Sequence, residues 1–200
     1  SARRARFLRE FDIVAKSAHP VLVRYFGGEN VSTLLAETRR EFENLIPQLP
    51  YIGGKQPFTE FIVFTGMLLA VYRVNRVYGK TVEETGELVY EIGRVFLRSY
   101  PAILLHMFGR MNFSRLYLNH LRKHAIESHQ RKYPDDYVYD FIESHDQSFE
   151  YGVDYIECAS CKFLAKQGAP DLAPYLCPVE ILYSEALGWG RLIWPGISAR

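Results

Sequence analysis

The sequence predicts an α+β fold, a mainly helical body packed on a small antiparallel sheet, and three observations carry that prediction. Apolar residues recur at helical spacing through most of residues 1–134. After Pro134 the pattern changes to two short alternating runs, Tyr137–Glu143 and Phe149–Ile156, around a turn-like Ser144–Ser148. Two further helix-like runs follow, one opening beside Cys158 and one at Cys177. Residues 1–200 are read as one domain, with a helical body over 1–134 and a hairpin plus cysteine-bearing helices over 135–200; no repeat or low-complexity linker marks a second.

In chain order, Phe7, Leu8, Phe11, Val14 and Ala15 predict a first helix over 2–16, ending before His19-Pro20. Val21–Asn30, closing in Gly27-Gly28, reads as a connector. Ser32 or Thr33 caps a second helix that Pro47 and Pro50 stop. The third runs from Phe58 to about Tyr78; its apolar centre, Phe61–Tyr72, falls well short of the roughly 20 residues needed to cross a bilayer and reads as buried. Thr81-x-x-Glu84 is a capping box ahead of a long helical stretch that Pro101 divides into about 82–99 and 102–109. Asn112 or Ser114 starts the next helix, which stops before Pro134. Beyond the hairpin and the cysteine-bearing helices, Arg191–Ile197 is a candidate third strand.

The near balance of 24 basic and 23 acidic residues gives no electrostatic reason to expect nucleic acid or an anionic membrane as partner. Arg3, Arg4 and Arg6 read as a solvated helix face. The first residues lack a long apolar centre and a small-residue cleavage site, so no secretory signal is expected. Three cysteines cannot all pair internally, which favours a reducing compartment, with the cytoplasm as default. Trp189 and Trp194 are candidates either for the core or for a dimer contact, which leaves a homo-oligomer open.

All three cysteines, Cys158, Cys161 and Cys177, fall between Tyr151 and Trp189. A helix starting near Ala159 sets Cys158 beside unpaired N–H groups and the positive end of the helix dipole, and Pro178 suggests the same for Cys177; both thiols are expected to ionise more readily there. Three readings stay open. The thiols are catalytic or redox-active, or they bind zinc or an iron–sulfur cluster through Cys158, Cys161 and Cys177, or they fill core volume. Glu180 lies one turn after Cys177 and can face the same cavity as a proton carrier, with Glu157, Asp154, Glu185 and His145 as further acid–base groups. His120 and His124 share a helix face, but Arg122, Lys123, Arg131 and Lys132 surround them with charge that opposes a cation, so the pair reads as a basic face with one inward histidine. Tyr137, Tyr139 and Tyr155 read as core and sheet aromatics. The double glycine near Lys55 lacks the rest of a phosphate-binding loop.

The strand pair leading into Glu157-Cys158, the Gly168-Ala169-Pro170-Asp171-Leu172-Ala173-Pro174-Tyr175-Leu176-Cys177 segment and the acidic residue at 180 together resemble the C-terminal signature of the L-2-amino-thiazoline-4-carboxylic acid hydrolase family. The specific residues lie over about 137–188, within a wider helix-and-hairpin pattern over 58–190. The resemblance implies hydrolytic opening of a small cyclic molecule, with Cys158 and Cys177 at the family's cysteines and Glu180 where an aspartate is expected. The chain departs from the family at its end, where LIWPGISAR stands in place of an Arg/Thr-rich strand and a Cys-Asp-Phe-type motif. The resulting expectation is a cytoplasmic hydrolase-like enzyme acting on a small molecule through Cys158, Cys177 and Glu180, without a cofactor. The rival expectations are a non-catalytic binder of small ligands on the same fold and a metalloprotein.

Overall fold

The structure is a computed structural model and describes residues 2–53, 56–144 and 149–188. Six helices come first: α1 (Ala2–Phe26), α2 (Gly28–Leu45), α3 (Thr59–Val77), α4 (Val82–Arg98), α5 (Ala102–Met111) and α6 (Arg115–Ser128). The strands β1 (Val138–Glu143) and β2 (Tyr151–Glu157) follow, then α7 (Ala159–Lys166) and α8 (Cys177–Leu187). Short 3-10 turns occupy Ile46–Gln48 and Pro170–Tyr175. This is the α+β arrangement expected, a helical body with a small antiparallel hairpin. No helix among the described residues is long and apolar enough to cross a membrane.

The largest departure from expectation is α1, which continues through Pro20 to Phe26 instead of ending near residue 16. Pro20 cannot donate to the carbonyl one turn back, and in an isolated helix that loss is decisive. Here the turns around it carry Ala18, Val21 and Leu22 into a buried cluster with Val31, Leu34, Val74, Leu88 and Ile92, so tertiary packing outweighs the local break. The expected connector therefore shrinks to Gly27, whose φ of 75° is one that glycine adopts without strain. α2 then starts at Gly28, ahead of the expected serine or threonine cap.

Other signals translate directly. The Thr81 hydroxyl accepts from the Glu84 N–H at 3.2 Å while the Glu84 carboxylate accepts from the Thr81 N–H at 2.8 Å, completing the capping box. Ser114 caps α6 by accepting from the Tyr117 N–H at 3.3 Å. Pro101 separates α4 from α5 as expected. α5 packs along α8 and turns Ile103, Leu104, Met107, Phe108 and Met111 outward. The candidate strand over 191–197, His145, and Trp189 and Trp194 lie outside the described residues.

A second buried cluster joins Phe7 and Phe11 of α1, Phe42 of α2 and the apolar centre of α3 to the hairpin and α7. Phe11 stacks on Phe42 with ring centroids 5.6 Å apart. β1 and β2 pair with Tyr139 opposite Tyr155, after a bulge beside Val138. Phe58, just ahead of α3, fixes the hairpin to the helical body, its ring lying 5.1, 5.0 and 5.5 Å from those of Tyr137, Tyr139 and Tyr155. On the other side α6 lies along β1. There the Tyr139 hydroxyl donates to the Leu121 carbonyl at 3.0 Å and meets Nδ1 of His124, also at 3.0 Å.

Candidate active site: three thiols and a glutamate

The site forms where the hairpin hands the chain to α7. Glu157 ends β2, and Cys158 turns with extended backbone angles (φ −104°, ψ 116°) at the N-cap of α7, which puts Cys161 one turn further on. Three attachments hold this turn. Ser160, buried between the cysteines, is 2.8 Å from the Thr65 hydroxyl of α3 and 2.7 Å from that of Tyr137. The Lys162 ammonium donates to the carbonyls of Pro134 and Asp136, each at 3.0 Å, and pairs with Glu157. At the far end of α7, Arg73 of α3 donates to the Gln167 side chain at 2.8 Å.

From Gly168 the chain passes through the second 3-10 turn to α8. The Tyr175 ring packs against Gly86 of α4, so closely that a Cβ at 86 would fall 2.0 Å from the ring. Cys177 opens α8 with Pro178 behind it, where a missing N–H costs nothing, and Glu180 follows on the first turn.

Two helix starts, fixed independently to α3 and α4, thus bring Cys158, Cys177 and Glu180 within electrostatic reach of one another. The Cys158 and Cys161 thiols are hydrogen-bonded, and the interaction divides them. The Cys158 thiol supports a charge on Cys161 and lowers it to about 7. Cys158 itself is driven upward, first by the Cys161 sulfur and then by burial. Burial, followed by Glu180 and Cys158, pushes Cys177 up to about 11. Burial and then Cys158 raise Glu180 to about 7. Two phenols share this environment. Tyr137 is pushed well above its ordinary 10 by burial and then by Cys158, and Tyr155 by burial and then by Glu180.

The sequence-based candidates Cys158, Cys177 and Glu180 are therefore brought together, but the expected ionisation is corrected. Neither Cys158 nor Cys177 is lowered. At Cys158 the backbone N–H groups of Ser160 and Cys161 do favour the thiolate, yet the adjacent sulfur and burial outweigh them. At Cys177 burial outweighs the helix start in the same way. The sulfur that carries charge near neutrality is the exposed Cys161, one of the three candidate thiols but not among the expected catalytic residues Cys158, Cys177 and Glu180. Of the other acid–base candidates, Glu157 is committed to Lys162 and Arg131, while Asp154 and Glu185 are exposed. Ser160 and the phenols of Tyr137 and Tyr155 were not read as site residues. Ser160 carries only the signal of its place inside Cys-x-x-Cys, and the tyrosines are also the core aromatics that their alternation suggested.

Among the described residues no group of three or more His, Cys, Asp or Glu side chains is arranged to hold a metal ion, so the zinc and iron–sulfur reading finds no ligand set there. His124 is the inward histidine, buried against Tyr139, while exposed His129 meets Asp140 at 2.9 Å. A cavity of about 90 Å³ lies among α1, α2, α3, α4 and α8, walled by Phe11, Phe64, Met67, Ile92, Phe96 and Tyr183. A more open cleft of about 350 Å³ runs past Gly86, Tyr90, Tyr175 and Pro178. No cysteine lines either space; α8 is a wall of both, while its Glu180 interacts with the thiols. No family model, curated protein or solved structure matches the chain.

Proposed function

We propose that the protein is a small-molecule enzyme that opens a small, electron-poor ring by hydrolysis, in the manner implied by the resemblance of residues 137–188 to the L-2-amino-thiazoline-4-carboxylic acid hydrolases. The observation that carries the reading is the meeting of a thiolate-bearing cysteine pair with a half-buried carboxyl group that exchanges its proton near pH 7. The sulfur of the Cys158–Cys161 pair that bears the charge adds to the carbon of a ring amide C=O group or of a protonated amidine C=N group, whose oxygen or second nitrogen then re-forms a double bond to that carbon. Glu180, protonated, gives its proton to the ring nitrogen as the C–N bond breaks. The carboxylate then takes a proton from water, whose oxygen attacks the same carbon and releases the sulfur. Cys177 stays a neutral thiol through these steps. A reducing compartment such as the cytoplasm keeps the pair available.

The experiment is turnover of a panel of thiazolines, cyclic amidines and lactams by the reduced protein. Glu180→Gln is expected to slow kcat by about 10²–10⁴, the usual worth of a general acid–base group. Absence of turnover across the panel by folded, fully reduced protein would sink the hydrolase reading. The apolar 90 Å³ cavity favours a second reading, a non-catalytic binder of small apolar molecules. Stabilisation of the protein by xenon or small arenes, without turnover of any ring compound, is its signature.

A further inference from the structure

We propose that Cys158 and Cys161 form a redox-active dithiol that closes to an intramolecular disulfide when it meets a low-molecular-weight disulfide, with Cys161 as the entry sulfur and Cys158 as the resolving one. The inference stands apart from the hydrolase reading, because it concerns the oxidation state of the pair and not any ring substrate.

The geometry assigns the roles. Cys158 is the N-cap of α7 and Cys161 the third residue of the helix, and side chains at these two positions reach one another. α4 shows the same reach in this molecule, where N-cap Thr81 and Glu84 three residues on exchange hydrogen bonds. In α7 the two thiols already share a hydrogen bond. Cys161 is exposed and Cys158 only half-buried behind it, so a solvent-borne disulfide meets Cys161 first. The backbone between them is fixed by Ser160, held by Thr65 and Tyr137, which keeps the second sulfur in place while the first reacts. The lowered thiol of Cys161 agrees with this order, since the thiolate is the attacking species.

The exchange balances in two steps. The Cys161 thiolate attacks one sulfur of the small disulfide R–S–S–R; a mixed disulfide Cys161–S–S–R forms as the S–S bond of the small disulfide breaks, its other half departs as R–S⁻, and the Cys158 thiol gives up its proton to that leaving thiolate. Cys158, now a thiolate, attacks the Cys161 sulfur and expels the second R–S⁻, which takes from solvent the proton that Cys161 released on ionising. The two protein sulfurs are oxidised and the small disulfide is reduced to two thiols. Cys177, on a separate helix and raised by burial, takes no part.

The test uses the whole chain, fully reduced, then equilibrated at pH 7 with glutathione at a series of oxidised-to-reduced ratios, quenched by alkylation and mapped by mass spectrometry. The expected result is a fall from three alkylatable thiols to one, the survivor being Cys177, with a peptide linking Cys158 to Cys161. Cys177→Ser is expected to form the same link, and reduced protein is expected to alkylate at Cys161 at least tenfold faster than at Cys177. Retention of all three thiols, stable accumulation of a glutathione adduct at Cys161, or a link that includes Cys177 would each overturn the proposal. None of these readouts depends on turnover, so the loss of one reading leaves the other standing or falling by its own experiment.

Discussion

Replacing Glu180 with glutamine should make the protein more stable relative to wild type as the pH rises, and the size of the gain follows from where this carboxyl sits. Its proton is held to about pH 7 where an ordinary glutamate releases it near 4.5, chiefly because the charged form is buried beside Cys158. At 1.36 kcal/mol for each tenfold change in proton affinity, that displacement corresponds to roughly 3 kcal/mol. The sign follows from proton counting. Between about 4.5 and 7 the unfolded chain has released this proton and the folded protein has not, so the unfolded state binds fewer protons and stability falls as pH rises. Below 4.5 both states are protonated and the cost vanishes; above 7 it is fully present. Glutamine keeps the shape and cannot ionise. Urea denaturation of both proteins from pH 4 to 8.5, followed by far-UV circular dichroism, should therefore show the difference in unfolding free energy moving in the variant's favour by roughly 3 kcal/mol across that window. Any pH-independent part of the difference, added to that movement, measures only the amide. A difference that does not change with pH would show that Glu180 titrates as a solvated glutamate, and the proton-carrier role would fall with it.

Two further perturbations test how the site is held. Ser160→Ala deprives the buried Tyr137 hydroxyl of its partner, whereas Thr65 keeps a 2.7 Å bond to the Phe61 carbonyl, so a loss of about 1–3 kcal/mol is expected in denaturant titrations. No loss of stability would mean that the Tyr137 phenol finds another partner. Phe58→Ala removes the ring that joins the hairpin to α3 and is expected to cost about 3–5 kcal/mol, with a reduced near-UV dichroism signal from Tyr137, Tyr139 and Tyr155. A cost below about 1 kcal/mol would place the anchor of the hairpin elsewhere.

Signals confined to one turn of chain were legible in the sequence. Thr81 with Glu84, Ser114 ahead of α6 and Pro101 between α4 and α5 each act through backbone groups a few residues away, and each appears where its chemistry requires. Pro20 misled for the complementary reason: its cost is local, while the burial of Ala18, Val21 and Leu22 that outweighs it depends on α2, α3 and α4. At the site, the spacing of Cys177 and Glu180 correctly put both on the first turn of a helix. The choice of thiolate was not legible. A helix start can be recognised from one segment, but the burial of Cys158 and Cys177 and the pairing of Cys158 with Cys161 belong to the assembled molecule. For the same reason Ser160 gave no sign that two hydroxyls, from Thr65 and Tyr137, would converge on it.

The near-contact of Tyr175 with Gly86 ties α4 to the segment that leads into the proposed site. Because the backbone of Gly86 is ordinary helix, nothing but the aromatic plate above it forbids a side chain there, and even one methyl would have to shove that plate aside. The shove would travel only two peptide units before reaching Cys177 and five before reaching Glu180. Position 86 is thus a remote adjusting screw for the proposed site: added bulk there is expected to shift Cys177 and Glu180 relative to the cysteine pair, which stays bolted to α3 through Ser160 and Thr65.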